Sequence, residues 1–399
     1  MPSLMPDKLR RSFNTTFPND ELSNQWVNPS DIFTALLILG GDGGEMVAKA
    51  VAQLSGRGLV PVAFSIGWVV FAVKSALSAL AGNNLLPAAD SKCIVINGKT
   101  GYIRDNSSWV IGRISRDFER WMDPAVKGKI DSMLDEKLRF DQMRSRDDAE
   151  TKSRMVRPNQ AGLCVAVYRA EAPLVGFTGG DHLYYTGFIV TLLQLGISVI
   201  PFGIFGDWSI LLIVAAGTIL SFATCSVPQW GREKWACRAG TNKSIVITQG
   251  NGSQFAILIL GDHKGLDLED LSIAKGNLQT HISKLQMIVL AALWIILLIT
   301  ATGIKEHSWF LFAVCAIGIF QNIYVSTTWR SPEAYGLPLI FERVIGEMKV
   351  METLFAVEEA YPGIGESMLN VFIPGRLTPA EEAKWAELSR TVRARSRGP

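Results

Sequence analysis

The chain has 399 residues, 48% of them hydrophobic and 19% charged, with a net charge of +2. So small a net charge leaves no electrostatic footprint for a nucleic-acid partner, and the length allows one or two domains. Uncharged apolar runs alternate with charged, turn-rich segments, the pattern of a multipass membrane protein with sizeable soluble parts. The five cysteines form no disulfide framework, and no Walker loop, HExxH or paired CxxC motif occurs, so neither cofactor nor metal is expected.

Residues 1–30 are polar, carry Lys8, Arg10 and Arg11, and have no apolar core, so they read as a cytosolic segment and not a cleavable signal. Residues 31–80 hold two predicted membrane helices. The first, Asp31–Leu54, has the length that crosses a bilayer, roughly 20 residues or a little more. Its middle is Gly40-Gly41-Asp42-Gly43-Gly44-Glu45, where ionisable groups cost about 3 kcal/mol and each glycine weakens a helix by about 1 kcal/mol relative to Ala. An anchor needs neither feature. Asp42 and Glu45 are three apart and share a helix face; Lys49, four beyond Glu45, is placed to neutralise it. The second span is expected over Val60–Leu80, with Pro61 in its first turn.

Residues 82–180 form a polar α+β block. Cys93–Ile96 and Tyr102–Arg104 read as strands around an Asn97–Gly101 turn, Ser107 or Ser108 can cap a helix through Met122, Val126–Arg154 reads as a solvated helix or loop, and Gly162–Tyr168 is a further strand. Residues 183–227 hold spans three and four, joined by the tight Gly206-Asp207 link. Asp181 and His182 stand at the mouth of the third span, as a helix cap or as a surface carboxylate–imidazole pair for proton transfer. Residues 229–283 contain a β-hairpin (243–249 and 253–260), which could join the earlier strands in one small sheet. Residues 285–326 hold spans five and six; Gln321 and Asn322 lie on the last and can bond across helices. In 327–399, Phe341–Ala360 shows helical spacing and Thr378-Pro-Ala-Glu381 is a capping box. The Lys and Arg excess of the long segments places them, with both termini, in the cytosol, which makes about six spans and puts the links near Arg57, Asp207 and Lys305 on the other face. The expected fold class is an α-helical membrane protein with about six transmembrane helices and a small cytosolic α+β domain built from the long loops.

Three classes of function fit. In a metal-free enzyme on a lipophilic substrate, a buried neutral Asp42 or Glu45 protonates an epoxide or alkene, and Phe64, Trp68 and Phe71 stabilise the cation. Asp181, His182, Gln321 and Asn322 are further candidate substrate contacts. In a transporter, Asp42 and Glu45 bind a proton, cation or amine in a glycine-broken helix. In a scaffold, the soluble domain does the work.

The runs WVNPSDIFTALLILGGDGGEMVAKAVAQL, PVAFSIGWVVFAV and VINGKTGYIRDNSSWVIGRISRDFERW resemble a family of fungal multipass membrane proteins. In size and layout the chain is similar to the transmembrane terpene cyclases of ascochlorin and ascofuranone biosynthesis. That resemblance implies a cyclase acting without metal on an epoxidised, prenylated (meroterpenoid) substrate in the endoplasmic-reticulum membrane. Asp42 and Glu45 are assigned by their chemistry and not carried over from it.

Overall fold

The computed structural model describes residues 43–144, 155–177, 179–274, 280–304 and 306–396. The first described element is helix α1 (Gly43–Leu54); an irregular stretch leads to α2 (Gly67–Ala81). Strands β1 (Ile94–Asn97) and β2 (Ile103–Asp105) pair across a turn in which Asn97 Oδ1 accepts from the N–H of Lys99 and Thr100. Helices α3 (Trp109–Arg116), α4 (Phe118–Trp121) and α5 (Pro124–Arg144) precede β3 (Leu163–Ala170). The apolar helices α6 (His182–Phe205) and α7 (Ser209–Cys225) form a hairpin. The short α8 (Gln229–Lys234) leads into β4 (Ala239–Thr241), β5 (Ser244–Thr248), β6 (Phe255–Leu260) and β7 (Gly265–Leu266). After α9 (Leu268–Ser272) comes a second apolar hairpin, α10 (His281–Thr302) and α11 (Ser308–Thr327). Strand β8 (Leu339–Glu347) and helices α12 (Val350–Ala360), α13 (Ile364–Phe372) and α14 (Pro379–Ser396) close the chain.

The two polar blocks and the tail combine into one six-stranded sheet of order β2-β1-β5-β6-β3-β8. Only the β3–β6 pairing is parallel. Side chains alternate between two cores, as the two-residue period of a strand requires. Cys164, Ala166 and Tyr168 of β3 face the layer with Trp109, Phe118 and Met133, whereas Leu163, Val165 and Val167 face Leu354, Met368 and Trp385. Helices therefore cover both faces. The capping box is present at α14, where Glu381 Oε2 accepts from the Thr378 N–H at 2.8 Å.

The stretch 341–347, expected as the start of a helix, is strand β8; helix begins only at Val350. The residues LIFERVIGE are rich in β-branched and aromatic types. Their pairing with β3, whose edge would otherwise be open, outweighs the helical spacing of the apolar positions.

Helices α1, α2, α10, α7, α6 and α11 contact one another in that order, and α11 returns to α1, so they close a ring. The ring has an apolar core, with Leu54, Trp68, Leu183, Val214, Trp294 and Leu311 among its buried residues, and small and polar residues share it: Gly187, Thr191, Gln194 and Ser198 on α6 and Gly318, Gln321 and Asn322 on α11. Large apolar side chains such as Ile189, Leu192, Ile204, Leu285, Ile296, Ile299 and Phe320 point outward and are exposed. Small and polar residues inside with Ile and Leu outside is the arrangement of helices that pack in lipid. Among the described residues three helices, α6, α10 and α11, are long and apolar enough to cross a membrane, and α2 and α7 are shorter apolar helices. At the far end of the hairpins the two turns meet, with His307 Nδ1 3.4 Å from Asp207 Oδ2.

Six spans are not what the structure contains. The expected second span is a 15-residue helix, about 22 Å at 1.5 Å per residue and short of the ~30 Å hydrocarbon core. Val60–Ile66, expected as its first turns, is not helical. The link at Arg57 also lies on the sheet side: the Arg57 N–H donates to the Gly176 carbonyl at 2.6 Å, and Lys234 Nζ donates to the Ser55 carbonyl at 2.8 Å. The chain after α2 is on that side too, since Asn84 Nδ2 donates to the Ala274 carbonyl at 2.8 Å. Residues 55–86 thus leave the sheet domain, descend into the ring and come back. Of the expected first span, Asp31–Asp42 lies outside the described residues.

Candidate functional site

Val60–Ile66 runs inside the ring, flanked by α1 and α2 and touching α6, α7, α10 and α11. Val60, Val62, Ala63, Phe64, Ser65 and Ile66 are each at most 5% exposed. Non-helical backbone at membrane depth is tolerated only where protein satisfies its polar groups. Two side chains do so from neighbouring helices. Gln194 Nε2 on α6 donates to the Phe64 carbonyl at 2.8 Å and to the Val314 carbonyl at 2.9 Å. Asn322 Nδ2 on α11 donates to the Ala63 carbonyl at 3.3 Å and to Ser65 Oγ at 3.1 Å. Trp68 Nε1 donates to the Ala63 carbonyl at 2.9 Å, and Tyr184 Oη to the Leu59 carbonyl at 3.0 Å.

Glycines make the close approach possible. A Cβ on Gly187 would collide with the Pro61 carbonyl, one on Gly217 with the Phe64 ring, and one on Gly318 with the Phe64 carbonyl. Pro61 supplies no N–H, which is one donor fewer to satisfy at this depth. At its lower end the segment turns into α2 where the first residues of α1 and α2 meet: a Cβ on Gly67 would stand 2.9 Å from the Gly43 carbonyl carbon.

Two buried acceptors remain unused. Gln194 Oε1 and Asn322 Oδ1 have no hydrogen-bond partner among the described residues, although Gln194 is 0% and Asn322 2% exposed. The inward-facing residues of α6, α7 and α11 carry no charge. The site is therefore polar, uncharged and short of hydrogen-bond donors at two points.

The predicted residues divide between this site and other roles. Phe64, Trp68 and Phe71 are buried in one aromatic run: Phe64 stacks on Trp294 with centroids 6.2 Å apart, Trp294 on Trp68 at 5.5 Å, and Phe71 on Trp230 at 5.7 Å. The rings fill the space by touching each other. Gln321 Nε2 donates to Thr186 Oγ1 at 3.1 Å, bonding helices as expected, while Asn322 belongs to the site itself. Asp181 caps α6 through the Tyr184 N–H and grips Arg330 with both oxygens, at 2.8 and 3.0 Å. His182 is exposed beside it. Glu45 is 61% exposed and pairs with Lys49 at 2.8 Å, so it does not face the aromatic run. Asp42 lies outside the described residues.

Missed from sequence is the polar seam that joins ring to sheet domain. Arg113 on α3 is fully buried. Its guanidinium donates to Asp90 Oδ2 at 2.9 Å, Gln53 Oε1 at 2.6 Å and the Ser326 carbonyl at 2.8 Å. Arg330 donates to the Gln53 carbonyl at 2.6 Å. Lys234 donates to the carbonyls of Gln53 at 3.2 Å and Ser55 at 2.8 Å. These cations sit at the C-terminal ends of α1 and α11, where helix dipoles favour positive charge. Burial, with the nearby Arg330 charge, holds the Lys234 ammonium well below its usual pKa. No sequence signal marked these residues, because their partners are distant in the chain.

An open cleft of about 750 Å³ lies on the sheet domain between Arg116, Lys137, Gln160, Gln249, Gln254 and Phe255. Among the described residues no group of three or more His, Cys, Asp or Glu could hold a metal. No protein-family model, curated protein or solved structure matches this chain.

Proposed function

We propose that the chain is a membrane transport protein for a small uncharged polar solute, with Val60–Ile66 as the solute-contacting plug of the helix ring. The observation that carries this reading is the non-helical segment within the ring, beside the oxygens of Gln194 and Asn322 that have no partner among the described residues. Non-helical backbone held between helices inside a bundle is a recurrent way of building solute sites in membranes. An uncharged lining with two unused acceptors favours neutral hydrogen-bond donors. In the described conformation the Phe64 ring closes the path between Gly217 and Trp294. Proteoliposomes of Phe64→Ala should therefore take up water, urea or glycerol about tenfold faster than the unaltered protein, read as osmotic swelling by light scattering. Equal, background-level swelling in both would overturn the proposal.

A second reading is metal-free cyclisation of a prenylated substrate, favoured by the aromatic run Phe64–Trp294–Trp68, whose faces could stabilise a carbocation. Among the described residues no carboxylate faces that run, which leaves Asp42 to supply the acid. An isomerised product formed from farnesylated-phenol epoxides and lost in Asp42→Asn would favour this reading over transport.

A further inference from the structure

Both ends of the re-entrant unit 55–86 are held by two adjacent residues of one short helix. Lys234 Nζ binds the carbonyls of Gln53 and Ser55 where the unit begins. Glu233 Oε2 accepts from the N–H of Leu85 at 2.7 Å and of Leu86 at 3.1 Å where it ends. Gln229, one turn earlier on α8, donates to the other Glu233 oxygen at 2.8 Å and fixes the carboxylate.

Helix α8 is itself attached at both ends. Trp230 stacks on Phe71 of α2, and its Nε1 donates to the Thr224 carbonyl in the last turn of α7 at 2.8 Å. Trp235, just after the helix, donates to the Tyr335 carbonyl at 2.9 Å, on the segment that leads into β8. Lys234 is 1% exposed, makes no ion pair among the described residues, and lies 5.1 and 5.8 Å from the ring centroids of Trp235 and Tyr335. A buried amine needs such partners, and here the two carbonyls of Gln53 and Ser55 are the ones that accept its hydrogen bonds. Beside it is a void of about 30 Å³, lined by Asn84, Ser107, Trp109, Glu233 and Lys234. Trp109 Nε1 has no partner there. Close-packed interiors rarely leave such space, and here it borders the one helix that holds both strands of the unit.

We propose that α8 is a clasp through which the sheet domain sets the position of the plug: a shift of α8 releases or draws in both ends of 55–86 together. The inference rests on the plug reading above, and it adds the route by which a ligand or partner of the sheet domain would act on the ring.

The test uses the full chain in lipid nanodiscs, with Cys237 replaced by Ser and Val62→Cys as reporter for a membrane-impermeant maleimide. Lys234→Met should raise the labelling rate of Val62→Cys about tenfold, and Glu233→Gln by less, because its amide oxygen still accepts from Leu85 and Leu86. A folded Lys234→Met protein with unchanged labelling would overturn the clasp. If Lys234→Met does not fold, hydrogen exchange of the unaltered chain decides. The amides of 229–234, 55–66 and 82–86 should open as one unit; exchange of 55–66 while 229–234 stays protected would overturn the proposal. Neither readout depends on solute flux, so loss of the transport reading and loss of the clasp are separately visible.

Discussion

Gly318→Ala will destabilise the ring by about 3 kcal/mol, although Gly→Ala in a helix normally gains about 1 kcal/mol. The added methyl would stand where the Phe64 carbonyl oxygen lies, and Gln194 Nε2 would be only 2.8 Å from it. The segment would have to retreat, and the bonds from Gln194 to the Phe64 carbonyl and from Asn322 to the Ala63 carbonyl would go with it. Gly196 on α6 is the internal control, because a Cβ there meets nothing within 4 Å. Gly196→Ala should be neutral or stabilising. Denaturation midpoints of the two variants in one detergent should move in opposite directions.

Arg113→Met will cost about 3–5 kcal/mol, the usual result of removing one partner from a buried charge network. It leaves Asp90 with only Lys49 at 3.3 Å and Arg116 at 3.4 Å, takes the Arg113 donor from the Ser326 carbonyl, and leaves Gln53 Oε1 with only the longer bond from Tyr335 Oη at 3.3 Å. The comparison is Arg157, whose exposed pairs with Asp131 at 3.1 Å and Asp135 at 2.8 Å should matter by no more than about 1 kcal/mol in Arg157→Ala. Urea unfolding followed by tryptophan fluorescence distinguishes the two, and similar losses for both would contradict the seam as described.

Much of the sheet domain was legible because its signals are local. The Asn97–Gly101 turn, the 243–260 hairpin, the Asp181 cap and the Thr378 capping box each need only a few neighbouring residues. The pairing of strands from both polar blocks followed once those blocks shared a side. Val60–Ile66 was not legible. In an apolar, proline-led run, a non-helical plug and the first turns of a spanning helix have the same composition, and what decides between them is 130 residues away from Phe64 in Gln194 and 259 away from Ala63 in Asn322. The same distance hid the seam, since Arg113, Lys234 and Arg330 come from three separate parts of the chain and meet around Gln53. The aromatic residues singled out for a cavity do gather inside the ring, but composition cannot tell a lined cavity from rings stacked on each other.

The re-entrant path of 55–86 carries the rest, and cysteine topology tests it most directly. Lys99 marks the sheet domain, Trp208 marks the far turn at 61% exposure, and Arg57 is exposed on the loop between α1 and the plug. In sealed vesicles, single cysteines at these positions would be treated with a membrane-impermeant maleimide. The structure predicts that Arg57→Cys and Lys99→Cys label from one side and Trp208→Cys from the other. Labelling of Arg57→Cys from the Trp208 side would mean that residues 60–80 cross the membrane as a helix, and the plug would not exist.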